Sequence, residues 1–366
     1  MRHISYYTWK TLRKNLIFIT LFSSQIVIVA LFTFFASIQL ASVIDYKQTT
    51  DKLKPFNLVH FKTYYGTDYA IYNSEMNKEL ANLLDHQHIA YSSIDSIRLE
   101  EYPDIPVVIG IGGFGGIYSI GDTSDQQPVA YIGKDVNKIQ VGDQFTFGAG
   151  VRKSLTISQQ LTDHISYMRY QTPVDLDHSI VILTTYSQFM ALYGTNDLEQ
   201  IVTNTVLINP SSDRIKTFID VMTKSDFFNF SPVYWNNQAP VTYKELLNSS
   251  LFFIIFFAIT MLFIFIGLIG NLFRMIEQNI RQYAIHRMYG ASGVAIASQL
   301  LLYATIVLLL PLSLSYGMIQ GVDPEGLPVY IFADFLITSI VIVAMPALRY
   351  VYRTSLIEMM KRDESR

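Results

Sequence analysis

The sequence predicts a membrane protein with four transmembrane α-helices, one followed by three, and a large α+β extracytoplasmic domain inserted between helices 1 and 2. Three observations predict it. Half of the 366 residues are hydrophobic and only 16% are charged, against about 25% in soluble domains. The apolar residues are concentrated: no Asp, Glu, Lys or Arg occurs between Lys14 and Asp45, between Glu245 and Arg274, or between Arg287 and Asp323. The basic residues that flank these runs fall on one side of them.

Each run has the roughly 20 apolar residues that a membrane crossing needs. The helices are expected at about 16–41, 249–273, 294–319 and 328–348. The fourth run is interrupted only by Asp334. The first run is too long for the 7–15-residue apolar core of a signal peptide, so it reads as a retained helix. Arg2, Lys10, Arg13 and Lys14 precede helix 1, Arg274, Arg281 and Arg287 lie between helices 2 and 3, and Arg349, Arg353, Lys361, Arg362 and Arg366 follow helix 4. The 3–4 loop "GVDPEGLP" has no Lys or Arg. The positive-inside bias puts both termini and the 2–3 loop in the cytoplasm and the large domain outside. The expected location is the bacterial cytoplasmic membrane.

Four segments follow: 1–44, an interfacial N-terminal helix and helix 1; 45–246, the outer domain; 247–350, helices 2–4 with a cytoplasmic segment at 274–292; and 351–366, a basic tail. The first, "MRHISYYTWKTLRKN", mixes rings and basic residues, which suits the headgroup level of the lipid. The outer domain has 15 Lys and Arg against 23 Asp and Glu. Its strand candidates are "NLVHFKTYY", "YAIYN", "IAYSSIDSIRL", "IPVVIGI", "QPVAYIG", "DQFTF", "SIVILTT" and "IVTNTVLIN", chosen by β-branched and aromatic content. Helices are expected at "SEMNKELANLLDHQ", with Ser74 as N-cap and Met76, Leu80, Leu83 and Leu84 at helical spacing, and at "SSDRIKTFIDVMTKS", with Ile215, Phe218, Ile219 and Met222 on one face. At least one strand–helix–strand unit is expected.

Several patterns invite a chemical reading. Gly110, Gly112 and Gly115 are spaced G-x-G-x-x-G after a strand candidate, the spacing of a dinucleotide site. Such a site needs a helix to open at the third glycine. Here Gly116 is followed by "IYSIGD", so Gly110, Gly112, Gly113, Gly115 and Gly116 are expected to form a flexible outer loop able to contact cargo or a partner. His86 and His88 are two apart, the wrong spacing for helical zinc ligands. His60, His164 and His178 are isolated in sequence. There is no cysteine, which excludes disulfides and thiol chemistry. No G-x-S-x-G nucleophile elbow occurs. The sequence offers no catalytic or metal site. Asp334 is a candidate intramembrane polar site, because an ionisable residue in a span is functional by default. Pro311 is expected to kink helix 3.

The segment Asn271–Gln299 carries the most information. Helix 2 is expected to run past the membrane, with Ile276, Ile280, Tyr283 and Arg287 on one face. Gly290 suits a left-handed stop, and Ser292 suits the next N-cap. The product is a short cytoplasmic helix joined to two spans.

These residues resemble the signature of MacB/FtsX-type ABC transporter permeases, roughly R-x-E-I-G-I-L-R-A-L-G-A-S. Ile285, Arg287, Gly290, Ala291 and Ser292 agree with it, and Gln282 stands where Glu is common. "PALRYVYRTSLIEMMK" and "PVAYIGKDVNKIQVGDQFTF" are similar to the C-terminal and outer elements of that family. The resemblance implies a mechanotransmission-like permease that binds two copies of a cytoplasmic ATPase and dimerises with itself or a paralogue. No Walker A motif occurs here, so ATP and Mg belong to the ATPase. This chain is expected to bind no cofactor and no nucleic acid. Arg281, Gln282, Ile285, Arg287, Gly290, Ala291 and Ser292 are the implied ATPase-coupling residues. The implied role is export or handling of a peptide, antimicrobial or other amphipathic substrate, with an outer partner or cargo. The alternative is an FtsX-like regulator that activates a cell-wall hydrolase or senses a peptide without transport. The outer domain is larger than a minimal FtsX-like one, which favours the first.

Overall fold

The computed structural model describes residues 13, 16–66, 73–86, 89–121, 127–170, 172–225, 227–278, 280–290, 292–320, 338, 345, 346 and 349. The chain divides into two compact units, one formed by 1–40 with 248–366 and the other by 41–247.

The 41–247 unit is an α/β domain. Its strands are β1 (Val59–Tyr65), β2 (Ala90–Ile94), β3 (Val107–Gly112), β4 (Val129–Ile132), β5 (Gln144–Phe147), β6 (Lys153–Gln160), β7 (Ser166–Arg169), β8 (Thr172–Asp175), β9 (Ile180–Thr184), β10 (Val206–Leu207) and β11 (Phe228–Tyr234). Nine form a mixed sheet in the order β11-β1-β10-β2-β3-β9-β4-β6-β5, and β7 and β8 form a separate hairpin. The central strands are continuous apolar runs because both faces of the sheet are covered. Ile109, Ile111, Ile180 and Ile182 enter one core, and Val108, Val181 and Leu183 enter the other.

The expected strand–helix–strand unit occurs twice, interleaved. β1 and β2 are each antiparallel to β10, which lies between them. They are therefore parallel, and the helix Ser74–Ala81 joins them. In the same way β10 and β11 flank β1 and are joined by the helix Ser212–Met222. This is the split β-α-β arrangement of ferredoxin-like sheets, with β3 to β9 inserted as an extension. The two helices share one face, where Arg214 Nη1 lies 3.2 Å from Glu79 Oε1 and Lys224 pairs with Glu75.

Local chemistry accounts for most of these elements. Met76, Leu80, Leu83 and Leu84 are all buried, as their spacing predicts. The N-cap is Asn73, one residue before the expected Ser74, and its Oδ1 accepts the Glu75 amide at 2.9 Å. The helix Ser212–Met222 buries Ile215, Phe218 and Met222 and is capped by Ser211. "IVTNTVLIN" departs from expectation. Its first residues end the helix Leu198–Thr203, and only Val206–Leu207 are strand. Leu198, Ile201 and Val202 fill the core from that helix, so packing overrides the strand preference of the β-branched Ile201 and Val202. "YAIYN" lies outside the described residues apart from Asn73.

The two ends of the domain meet. β1 pairs with β11 in one unbroken register, from Val59 opposite Tyr234 to Tyr65 opposite Phe228. The helix Leu16–Leu53 ends a few residues before β1, and the helix Trp235–Gln278 begins directly after β11. The Trp235 amide donates to Leu58 O at 2.9 Å, and the rings of Tyr46 and Trp235 lie 6.2 Å apart.

Among the described residues, two helical stretches, Trp235–Gly267 and Val294–Gly317, are long and apolar enough to cross a membrane by length and composition. The first expected span falls in the 38-residue helix Leu16–Leu53, where the apolar stretch Ser23–Phe32 is shorter than those two. The fourth, with Asp334, falls outside the described residues except for 338, 345 and 346, and so do the N-terminal segment before Arg13 and the basic tail.

The helix Tyr186–Tyr193 opens on a capping box. Thr185 Oγ1 accepts the Gln188 amide at 3.2 Å, and Gln188 Oε1 accepts the Thr185 amide at 3.3 Å. Thr185→Ala is expected to lower domain stability by about 1 kcal/mol and Thr185→Ser by much less. Denaturant midpoints of the two variants check this.

Candidate functional site

Three places bear on function: the glycine segment, the segment after Gln278, and a charged cluster in the α/β domain.

The glycine segment is not an open loop. Gly110 and Gly112 lie inside β3, and Phe114–Ile117 form a single helical turn. Gly110, Gly112 and Gly115 are buried, Gly113 is half-buried and Gly116 is exposed. The reason is Phe114, whose fully buried ring packs against Tyr91, Tyr118 and Tyr167 and folds the glycines back onto the sheet. A Cβ on Gly115 would lie 2.1 Å from Gly121 O, whereas one on Gly116 would meet nothing within 4 Å. Gly110, Gly112 and Gly115 serve close packing at the end of a central strand.

Past the long helix Trp235–Gln278, the helix Ile280–Met288 follows, and then the helix Gly293–Gln320. Ile276, Ile280, Tyr283 and Ala284 are buried, which matches the face that the spacing predicts, and Arg287 is half-buried. Gly290 takes φ +89°, and its amide donates to Arg287 O at 3.1 Å, the expected left-handed stop. Ser292 caps the next helix by accepting the Ala295 amide at 3.2 Å. Ile285, Met288 and Tyr289 are 44%, 63% and 88% exposed. Three apolar side chains thus crowd one bare turn. Arg281 and Gln282 are helical, and the placement of their side chains lies outside the description, as does Ala291.

The charged cluster was invisible in the sequence. The expectation that His164 is isolated is corrected by the fold, which brings five polar side chains around it. His164 Nδ1 lies 2.6 Å from Asp177 Oδ2 and 3.7 Å from Asp175 Oδ1. Its Nε2 lies 3.3 Å from Asp45 Oδ1 and 3.3 Å from Ser166 Oγ. The Ser166 hydroxyl donates to Asp45 Oδ2 at 3.0 Å. Lys134 Nζ lies 2.9 Å from Asp177 Oδ2. Asp177 Oδ1 also accepts the Ile165 amide at 3.3 Å. Burial tends to raise the Asp177 pKa, but His164 and Lys134 hold it below the usual carboxylate range. Burial and the neighbouring Asp177 raise Asp175. Asp45 is 119 residues from His164, so no local motif announces the cluster.

Two chemical readings of the cluster fail on geometry. Ser166, His164 and Asp177 touch in the order of a hydrolytic triad. The Asp45 carboxylate, however, sits beside Ser166 Oγ, where an oxyanion would develop. Like charges about 4 Å apart repel by about 4 kcal/mol near a protein surface. His164, Asp175 and Asp177 also hold three ligand-type atoms within 4.8 Å of one another. The Lys134 ammonium and the imidazole already occupy Asp177 Oδ2, so the protein supplies its own cations there. The arrangement is an ion-pair network joining the helix Leu16–Leu53, the turn after β4 and the β7–β8 hairpin.

No protein-family model matches the chain, and no curated protein matches it.

The glycine geometry makes a paired prediction. Gly115→Ala should destabilise the domain by about 1–3 kcal/mol through overpacking. Gly116→Ala should be neutral or stabilising by up to about 1 kcal/mol, since the position is helical and open. Unfolding midpoints of the two single variants read the opposite signs.

Proposed function

We propose that the chain is the membrane-spanning subunit of an ABC transporter of the MacB/FtsX kind, with four spans and both ends in the cytoplasm of a bacterial cell. Two copies of a separate ATPase bind ATP and Mg and dock on the segment between the second and third spans. A second permease copy or paralogue completes the assembly, and the α/β domain acts outside on a peptide, antimicrobial or other amphipathic substrate.

The observation that carries this reading is the bare apolar turn of Ile285, Met288 and Tyr289. It lies on the segment that joins two long apolar helices and faces away from the buried stripe of Ile276, Ile280, Tyr283 and Ala284. Exposed apolar side chains in a cluster mark a contact surface, and an apolar anchor beside an arginine is the usual composition of an interface hot spot. The helices on either side support the membrane part. The most apolar window of Trp235–Gly267 is only 6% buried, and Phe252 and Phe263 are both about two-thirds exposed. A core helix of a soluble protein would be covered instead. The resemblance of Ile285, Arg287, Gly290 and Ser292 to the permease signature favours an ATPase among the partners such a surface could take.

Ile285→Asp tests the reading. Placing a charge at an interface anchor costs about 2 kcal/mol or more, roughly a 30-fold loss of affinity. The wild-type chain, isolated from its own host's membranes, is expected to carry a Walker A-containing ATPase. The variant is expected to lose it, with insertion and dimerisation unchanged. Equal ATPase recovery with both chains, or none with the wild type, would refute the docking role.

A further inference from the structure

The charged cluster has one imidazole, one hydroxyl and three carboxylates, and the number of protons on the imidazole decides which contacts coexist. A protonated His164 has two N–H donors. Nδ1–H donates to Asp177 and Nε2–H to Asp45, while the Ser166 hydroxyl donates to the other Asp45 oxygen. Asp45 then holds two donors from the β7 end of the hairpin.

A neutral His164 keeps one N–H. Nδ1 retains it, because the 2.6 Å contact to Asp177 is the shorter and Asp177 is itself fixed by Lys134 and the Ile165 amide. Nε2 becomes an acceptor facing the Asp45 carboxylate. The Ser166 hydroxyl lies 3.0 Å from Asp45 Oδ2 and 3.3 Å from Nε2, so a rotation about one bond turns its proton from Asp45 to the ring. Asp45 loses both donors at once and, among the described residues, keeps the Thr49 hydroxyl of its own helix, at 3.5 Å.

We propose that this cluster is a proton-operated latch, in which loss of one proton from His164 hands the Ser166 hydroxyl to the ring and releases the helical turn around Asp45 from the β7–β8 hairpin. It goes beyond the transport reading and stands whether or not an ATPase binds.

The groups that face His164 are Asp45 from the helix, Lys134 with Asp135 from the turn after β4, Asp175 from the end of β8 and Asp177 from the turn that follows it, with His178 close to Asp175. Burial pulls the His164 pKa down, but Asp177, Asp45 and Asp175 outweigh it, and the net shift is upward. A raised histidine pKa contributes a contact that is fully present below the ordinary value of about 6.5 and is lost as pH rises through the folded value. Asp177 stays ionised throughout, since its own pKa is depressed. The latch is closed at mildly acid pH and opens above about 6.5.

Hydrogen exchange of the purified full-length protein between pH 5.5 and 8.5, corrected for the intrinsic rate, tests it. Amides 41–49 should lose about tenfold protection in a step centred above pH 6.5, the loss of a charge-assisted bond. Amides of the central strands β3 and β9 should not change. Asp45→Asn offers an amide to neutral Nε2 and a carbonyl to Ser166, so its turn should stay protected across the range. Ser166→Ala removes the competing donor and should move the step to higher pH. If Asp45→Asn does not fold, ring nitrogen shifts of wild-type His164 decide: the proton should remain on Nδ1 at high pH. An unchanged step in Asp45→Asn, no step in the wild type, or an Nε2-protonated ring at high pH would overturn the latch.

Discussion

The pairing of β1 with β11 is the constraint on which the rest of the domain depends. A domain inserted between two long helices needs its ends side by side, and seven residue pairs from Val59–Tyr234 to Tyr65–Phe228 supply that closure. The pairing sets Leu58 against Trp235 and Tyr46 against the same indole, so the helix that enters and the helix that leaves are bonded at one corner. It also places β1 between β10 and β11, which produces the interleaved split units and puts both of their helices on one face. Asp45 lies next to Tyr46 and one turn before Thr49. The closure therefore also brings the carboxylate of the cluster to the hairpin that carries His164.

Periodic segments were legible in the sequence because their burial is local. Met76, Leu80, Leu83 and Leu84 share a face of one helix whatever lies beneath them, and Ile276, Ile280 and Tyr283 do the same. The stop at Gly290 and the cap at Ser292 were legible for a related reason: left-handed φ and an N-cap oxygen are demands of a single turn. The strands β3, β4 and β9 announced themselves as continuous apolar runs, which two covered faces require.

The failures have one cause. "IVTNTVLIN" is β-branched by composition, yet its first half is helical, because the core beside β1 and β2 is filled from a helix there. The glycines of Gly110–Gly116 suggested freedom, and only the buried ring of Phe114 reveals that they are tight rather than loose. His164 is flanked by nothing acidic within its own turn except Asp163, and its working partners come from three elements separated by up to 119 residues. Each miss concerns a contact whose partner is remote in sequence. Conversely, the exposure of Ile285, Met288 and Tyr289 follows from which face the neighbouring residues bury, so it was implicit in the spacing.

The interleaving of β1 has a consequence for how the chain is made. Among the described residues its neighbours in the sheet are β10 and β11, and both are synthesised near the end of the domain. At ordinary elongation rates the gap is roughly 10–30 s. During that interval β2 and β3 can zip together, while the aromatic "VHFKTYY" has no native strand beside it. The first strand to emerge is thus the last to be enclosed. The domain closes like a clasp around its own beginning, and any chaperone that attends it has one obvious stretch to hold.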